Sequence, residues 1–299
     1  MKAIFKGVAI AVLAIVVFVV GIFVGRSKYS KPCNPRYEFL SEVCEEMRAD
    51  WERGVGQEKP GEPVDIKKIL QMLKISAFSK SYPRILKVVD TEEKKIEDLA
   101  FEEKEIETDY GSKNFLYVKG DPYLLILHGN EGESNTIKIF SAEFAKWTQR
   151  GGGLIIPRFT TDYAVLQEDA SLADLAGQTL LGRRIARVES IVRAVAGDKK
   201  VVAFAHSSGS IVGLIWAMLS DRVKALAVDY NYGGLSGACE LGFGPSFYIL
   251  RLKQTLPMDF KSFFESKKVD FMDQPYSYVD RNGLNKWLDE EFLKAKRAK

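Results

Sequence analysis

"KKVVAFAHSSGSIVGLIWAM", Lys199 to Met218, holds the pattern on which the fold turns. "KVVAFAH" is a strand-like apolar run bounded by Gly197-Asp198, and "SIVGLIWAML" directly after it is an apolar helix. Between them, small residues at Ala205 and Gly209 let a strand turn sharply into a helix, so that the hydroxyl of Ser207 stands exposed above a sheet. A serine so presented needs a base before it becomes a nucleophile. Apart from His206, inside the turn itself, the chain holds one other histidine, His128.

Working outward, the neighbouring segments alternate in the same way. "NFLYVKG" and "PYLLILHG" are strand-like runs separated by Gly-Asp-Pro, the second continuous and apolar as a strand buried on both faces must be. A helix is predicted over about Ser134 to Thr148, then the strand "LIIPRF", a long helical stretch Leu172 to Ala196, and after the Ser207 turn the strand "VKALAVDY". Strand-helix alternation implies a mostly parallel sheet with helices on both faces and ligands at the carboxyl ends of the strands. The acidic run "TEEKKIEDLAFEEKEIE" is expected to separate or interrupt the early strands.

These ordered pieces resemble the α/β-hydrolase family: "LLILHGNEG" its third strand and His-Gly loop, "WTQRGGGLIIPRF" its next helix end, glycine and strand, "VVAFAHSSGS" its nucleophile elbow. The resemblance runs from about Asn114 to Tyr232. It implies Ser207 as nucleophile and an oxyanion hole made by the backbone N–H groups of Ser208 and Asn130. A second small-x-Ser-x-small match at Ser236 lacks the strand before it and the helix after it.

The chain departs from the family in its last third. The family's acid and histidine follow the serine, yet no histidine follows His206. After "NYGGLSGACELGFG" come helical stretches and one short strand candidate, "KKVDFM", so the C-terminal part is expected to be reduced or rebuilt. His128, at the rim of the same crevice, is the remaining candidate base, with Asp229 as its acid; its expected role is to shape the loop by hydrogen bonding. His206 is expected to point away from the hydroxyl and pack; Glu131 and Glu133, beside Asn130, are placed to reach the crevice, although loop carboxylates such as these and Asp162 are ordinarily solvated. Cys239 lacks a partner histidine and reads as an apolar filler.

The N-terminus breaks with a soluble composition. "GVAIAVLAIVVFVVGIFVG", Gly7 to Gly25, carries no charge and has the length to cross about 30 Å of hydrocarbon. It lacks the short core and A-x-A-like end of a cleaved signal. The chain then divides into an anchor over 1–30, an amphipathic helix and Gly/Pro-rich linker over 31–64, and a hydrolase-like domain over 65–299. A modest excess of Arg26, Lys28, Lys31 and Arg36 over Lys2 and Lys6 places the domain on the cytoplasmic or equivalent side. Pairing of Cys33 with Cys44 is left open.

Net charge of +3 gives no footprint for nucleic acid, and no P-loop, dinucleotide fingerprint or zinc pattern implies a cofactor or metal. Two expectations from different classes follow. One is a membrane-anchored, hydrolase-like protein that has lost catalysis and serves as a binding or structural subunit, with the bilayer and membrane proteins as partners. The alternative is a serine esterase or acyl-lipid hydrolase using Ser207 with a non-standard base on an ester or acyl substrate. Whether the chain is an enzyme is open between them.

Overall fold

The computed structural model describes residues 67, 70–71, 85–108, 111–129, 131–159, 180–229, 260–273 and 281–297. All lie in the second of the chain's two units, Gln57–Lys299. The predicted span 7–25, the helix and linker of 31–64, Asn130, Asp162, Ser236 and Cys239 fall outside the described residues. Among the described residues no helix is long and apolar enough to cross a membrane.

Eight strands form one sheet: β1 Ile85–Ile96, β2 Leu99–Thr108, β3 Gly111–Val118, β4 Tyr123–Leu127, β5 Gly153–Pro157, β6 Val201–Ala205, β7 Val223–Val228 and β8 Asp270–Asp273. Their order is β1-β2-β3-β5-β4-β6-β7-β8. From β5 through β8 every pair is parallel, and from β1 to β5 every pair is antiparallel, so the sheet is mixed but mostly parallel. The helices are α1 Glu133–Ile139, α2 Ser141–Gln149, α3 Leu180–Ala196, α4 Gly209–Leu219, α5 Phe260–Ser266 and α6 Arg281–Arg297.

Period-2 alternation sorts the central strands between two cores. Leu125 and Leu127 of β4, Ala203 and Ala205 of β6, and Leu226 and Val228 of β7 meet α3, α4 and α5 on one face. Leu124 and Ile126, Val202 and Phe204, and Ala225 and Ala227 meet α1, α2 and α6 on the other. Helices on both faces leave β4, β5 and β6 wholly buried, which is why their sequences read as unbroken apolar runs. Each large side chain so buried contributes about 1.5–3 kcal/mol.

Two expectations need correction. The acidic run does not interrupt strands; it is β1 and β2, a hairpin turning at Glu97-Asp98. Alternation within β2 buries Leu99, Phe101 and Ile106 while Glu102 and Glu107 face out. Its buried Glu103 is met by Arg158 at 2.5 Å and Asn114 at 2.7 Å. Burial raises the Glu103 pKa, but those hydrogen bonds and the Arg158 charge outweigh it and hold the group below the ordinary value. The second correction is to the single helix predicted from Ser134, which breaks at Phe140 (φ −111°, ψ 24°) into α1 and α2. The turn there sets Phe140 and Phe144 together against Phe204, with ring centroids 4.8 and 6.2 Å away.

Candidate active site

Sheet register builds the site. Leu127 of β4 pairs with Ala205 of β6, and Ala205 with Val228 of β7. The residues that follow, His128, His206 and Asp229, therefore form one row at the carboxyl edge. The ladder runs one step further, with His206 N donating to Leu127 O at 2.8 Å and Asp229 N to Ala205 O at 3.2 Å.

Ser207 leaves that row in the left-handed region, φ 53°. For a residue with a Cβ this costs roughly 1–2 kcal/mol, and such strain persists where surrounding contacts over-determine it. Here Asp229 Oδ1 accepts the Ser207 N–H at 2.9 Å, and Gly209 N and Ser210 N close the turn on His206 O and Ser207 O. Helix α4 starts at once beneath β4, so near that a Cβ on Gly209 would stand 2.3 Å from Leu127 O. This strand, strained serine and close-packed helix are the elbow that Ala205 and Gly209 imply.

The candidate triad does not assemble around the elbow. His128, only 2 % exposed, accepts from Phe159 N at Nε2 (3.0 Å) and meets Gly129 O at Nδ1 (2.8 Å). A ring that accepts at Nε2 and meets a carbonyl at Nδ1 is the neutral Nδ1–H tautomer. Burial agrees, pushing the His128 pKa down. Both nitrogens are held by backbone groups, those of Gly129 and Phe159. Asp229 serves the elbow and His206, whose Nδ1 meets Asp229 Oδ2. Among the described residues, no hydrogen bond reaches Ser207 Oγ.

The loop carboxylates are not the solvated groups expected. Glu131 Oε1 accepts from Gly129 N at 3.0 Å and Thr136 Oγ1 at 2.5 Å, and lies 3.4 Å from His206 Nε2. Glu133 is buried and accepts from Arg158 Nε at 2.8 Å. Sequence reasoning weighed Glu131 as able to reach the crevice but did not place it among the catalytic candidates. Its one local signal was an acid just before Gly132, which caps α1 where the helix dipole favours negative charge. Ser208 caps α4, and its expected oxyanion partner Asn130 lies outside the described residues.

His206 thus bridges two carboxylates, with its ring edge against Phe140 at 5.1 Å. Burial lowers its pKa, but the hydrogen bond and charge of Asp229, helped by the Glu131 charge, raise it overall above 6.5. A raised folded-state pKa stabilises fully below the unfolded value and is lost as pH rises through the folded one. The stability of the native protein relative to His206→Gln should therefore be largest near about pH 6 and shrink toward about pH 9. Urea midpoints at both pH values check this, and a difference that grows with pH would contradict it.

Among the described residues, no His, Cys, Asp and Glu are grouped to hold a metal. No family model and no curated protein matches the chain. Solved structures similar to it are esterases and serine hydrolases of the α/β-hydrolase fold. A cold-adapted esterase from an Arctic intertidal metagenomic library shares 14% identity over 73% of this chain and 100% of its own, with a TM-score of 0.42. The S-formylglutathione hydrolase of Staphylococcus aureus shares 15% over 64% of this chain and 97% of its own, at 0.41. A Bacteroides fragilis protein assigned as an acetyl xylan esterase shares 12% over 55% of this chain, at 0.43; the match spans only 51% of its length.

Proposed function

We propose that the chain is a membrane-tethered protein of hydrolase-like fold that binds at the crevice around Ser207 without cleaving, as a binding or structural subunit of a membrane assembly. The observation that carries this reading is that both of the chain's histidines are committed, His128 to two backbone groups and His206 to two carboxylates. A serine hydroxyl without a base is a poor nucleophile, and losing the base costs an acyl-transfer serine roughly 10⁶-fold in turnover. Segment 7–25 supplies the tether in this reading, with the domain on the cytoplasmic or equivalent side. The test is exposure of the full-length protein to a fluorophosphonate probe. Ser207 should remain unmodified by peptide mass spectrometry, and short-chain activated esters should not turn over; labelling abolished by Ser207→Ala would sink the proposal.

A second reading, a serine esterase or acyl-lipid hydrolase, is favoured by the preserved strain at Ser207. With His128 as its base, that imidazole would have to exchange the Phe159 N–H for the Ser207 hydroxyl.

A further inference from the structure

Glu131 presents two differently engaged oxygens beside Ser207. Its Oε1 holds the Gly129 N–H and the Thr136 hydroxyl and faces His206 Nε2, while no hydrogen bond reaches Oε2 among the described residues. That second oxygen lies 2.4 Å from the point where a Cβ on Gly129 would stand, and Ser207 Oγ lies 2.8 Å from the same point. Carboxylate oxygen and serine hydroxyl thus share the space left by one missing side chain. Thr136 and the backbone of Gly129 fix the carboxylate there, and His206, itself anchored on Asp229, backs it from the elbow side.

We infer that Glu131 is an anion gate: its carboxylate bars carboxylates and developing oxyanions from Ser207 and admits neutral or cationic ligands that offer a donor to Oε2. This rests on the reading of the crevice as a binding site and names the class of ligand it takes. Attack on an acyl carbon places negative charge on an oxygen beside Oγ, and that charge needs hydrogen-bond donors around it. A carboxylate oxygen in the same space has the opposite character, so the site opposes acyl chemistry twice, by lacking a base and by the charge it holds.

The test supplies the missing base from outside. Full-length wild type, Glu131→Gln and the Glu131→Gln/Ser207→Ala double variant are treated with a fluorophosphonate probe with and without added imidazole. Glutamine keeps the shape and removes the charge. With imidazole, Glu131→Gln should label at Ser207 about 10–100-fold faster than wild type, and the double variant should not label. Because imidazole has to reach the serine, phenylboronate at about pH 9 provides a second readout: Oγ replaces one boron hydroxide, which leaves with the Oγ proton as water, so the tetrahedral adduct needs no added base. The adduct should appear by ¹¹B NMR in Glu131→Gln and not in wild type.

Equal labelling or equal adduct formation in the two proteins would overturn the gate, as would the absence of both signals from Glu131→Gln. Either result leaves the silent-site reading standing. Wild-type labelling without imidazole would sink that reading instead, and if Glu131→Gln then abolished it, Glu131 would be a base and not a gate.

Discussion

Trp216→Ala is expected to lower the free energy of unfolding by about 4 kcal/mol, read from urea denaturation. Trp216 is fully buried on α4, in the core between that helix, α3 and the central strands. Removing the indole takes away one of the largest enclosed side chains, and a close-packed interior refills such a void only in part. There is a second loss. The indole N–H donates to Glu189 Oε2 at 2.9 Å, and that buried carboxylate is otherwise held by Ser220 Oγ at 2.8 Å and Arg222 Nε at 3.2 Å. Trp216→Phe separates the two contributions. It keeps most of the packing and loses only a hydrogen bond to a charged group, so its cost should be about 1.5–3 kcal/mol. Equal losses in the two variants would show that the polar contact dominates, contrary to the packing account.

Gly209→Ala should cost about 3 kcal/mol or more, although it adds a single methyl group to a helix. The new Cβ would lie 2.3 Å from Leu127 O, 2.6 Å from His128 O and 2.7 Å from Leu127 C, all backbone atoms of the buried central strand and its end. None can swing aside as a flexible side chain would. Relief would require α4 to lift off β4, which would also disturb the Ser207 turn. Gly197→Ala is the comparison. Gly197 sits at φ +61° with nothing within 4 Å of the added atom, so only backbone strain of roughly 1–2 kcal/mol applies. Thermal melts of both variants check the order, and a Gly197 loss equal to that at Gly209 would remove steric contact as the cause.

Legibility in the sequence followed the range of the interactions concerned. β4, β5, β6 and β7 were readable because burial on both faces requires continuous apolar runs. The Ser207 turn was readable because Ala205, Ser207 and Gly209 specify it within five residues. β1 and β2 were missed because a charged outer face dilutes the alternation of Leu99, Phe101 and Ile106. The break at Phe140 leaves no proline or glycine to mark it, since its cause is ring packing against Phe204 from a distant strand. In the same way the loop-end partners of Glu131, His206 and Asp229 are chosen by sheet register across β4, β6 and β7, and spacing along the chain carries no trace of that.

Strand order also sets a schedule for synthesis. β4 lies between β5 and β6, and β5 leaves the ribosome soon after it, but Val201–Ala205 follow only after a long segment that ends in α3. In the interval, one edge of a wholly apolar strand stays unpaired, for roughly 4–15 s at ordinary elongation rates. The nascent chain is then at its most adhesive, and a chaperone that shields β4 during that window should raise the yield of folded protein more than one that acts after release.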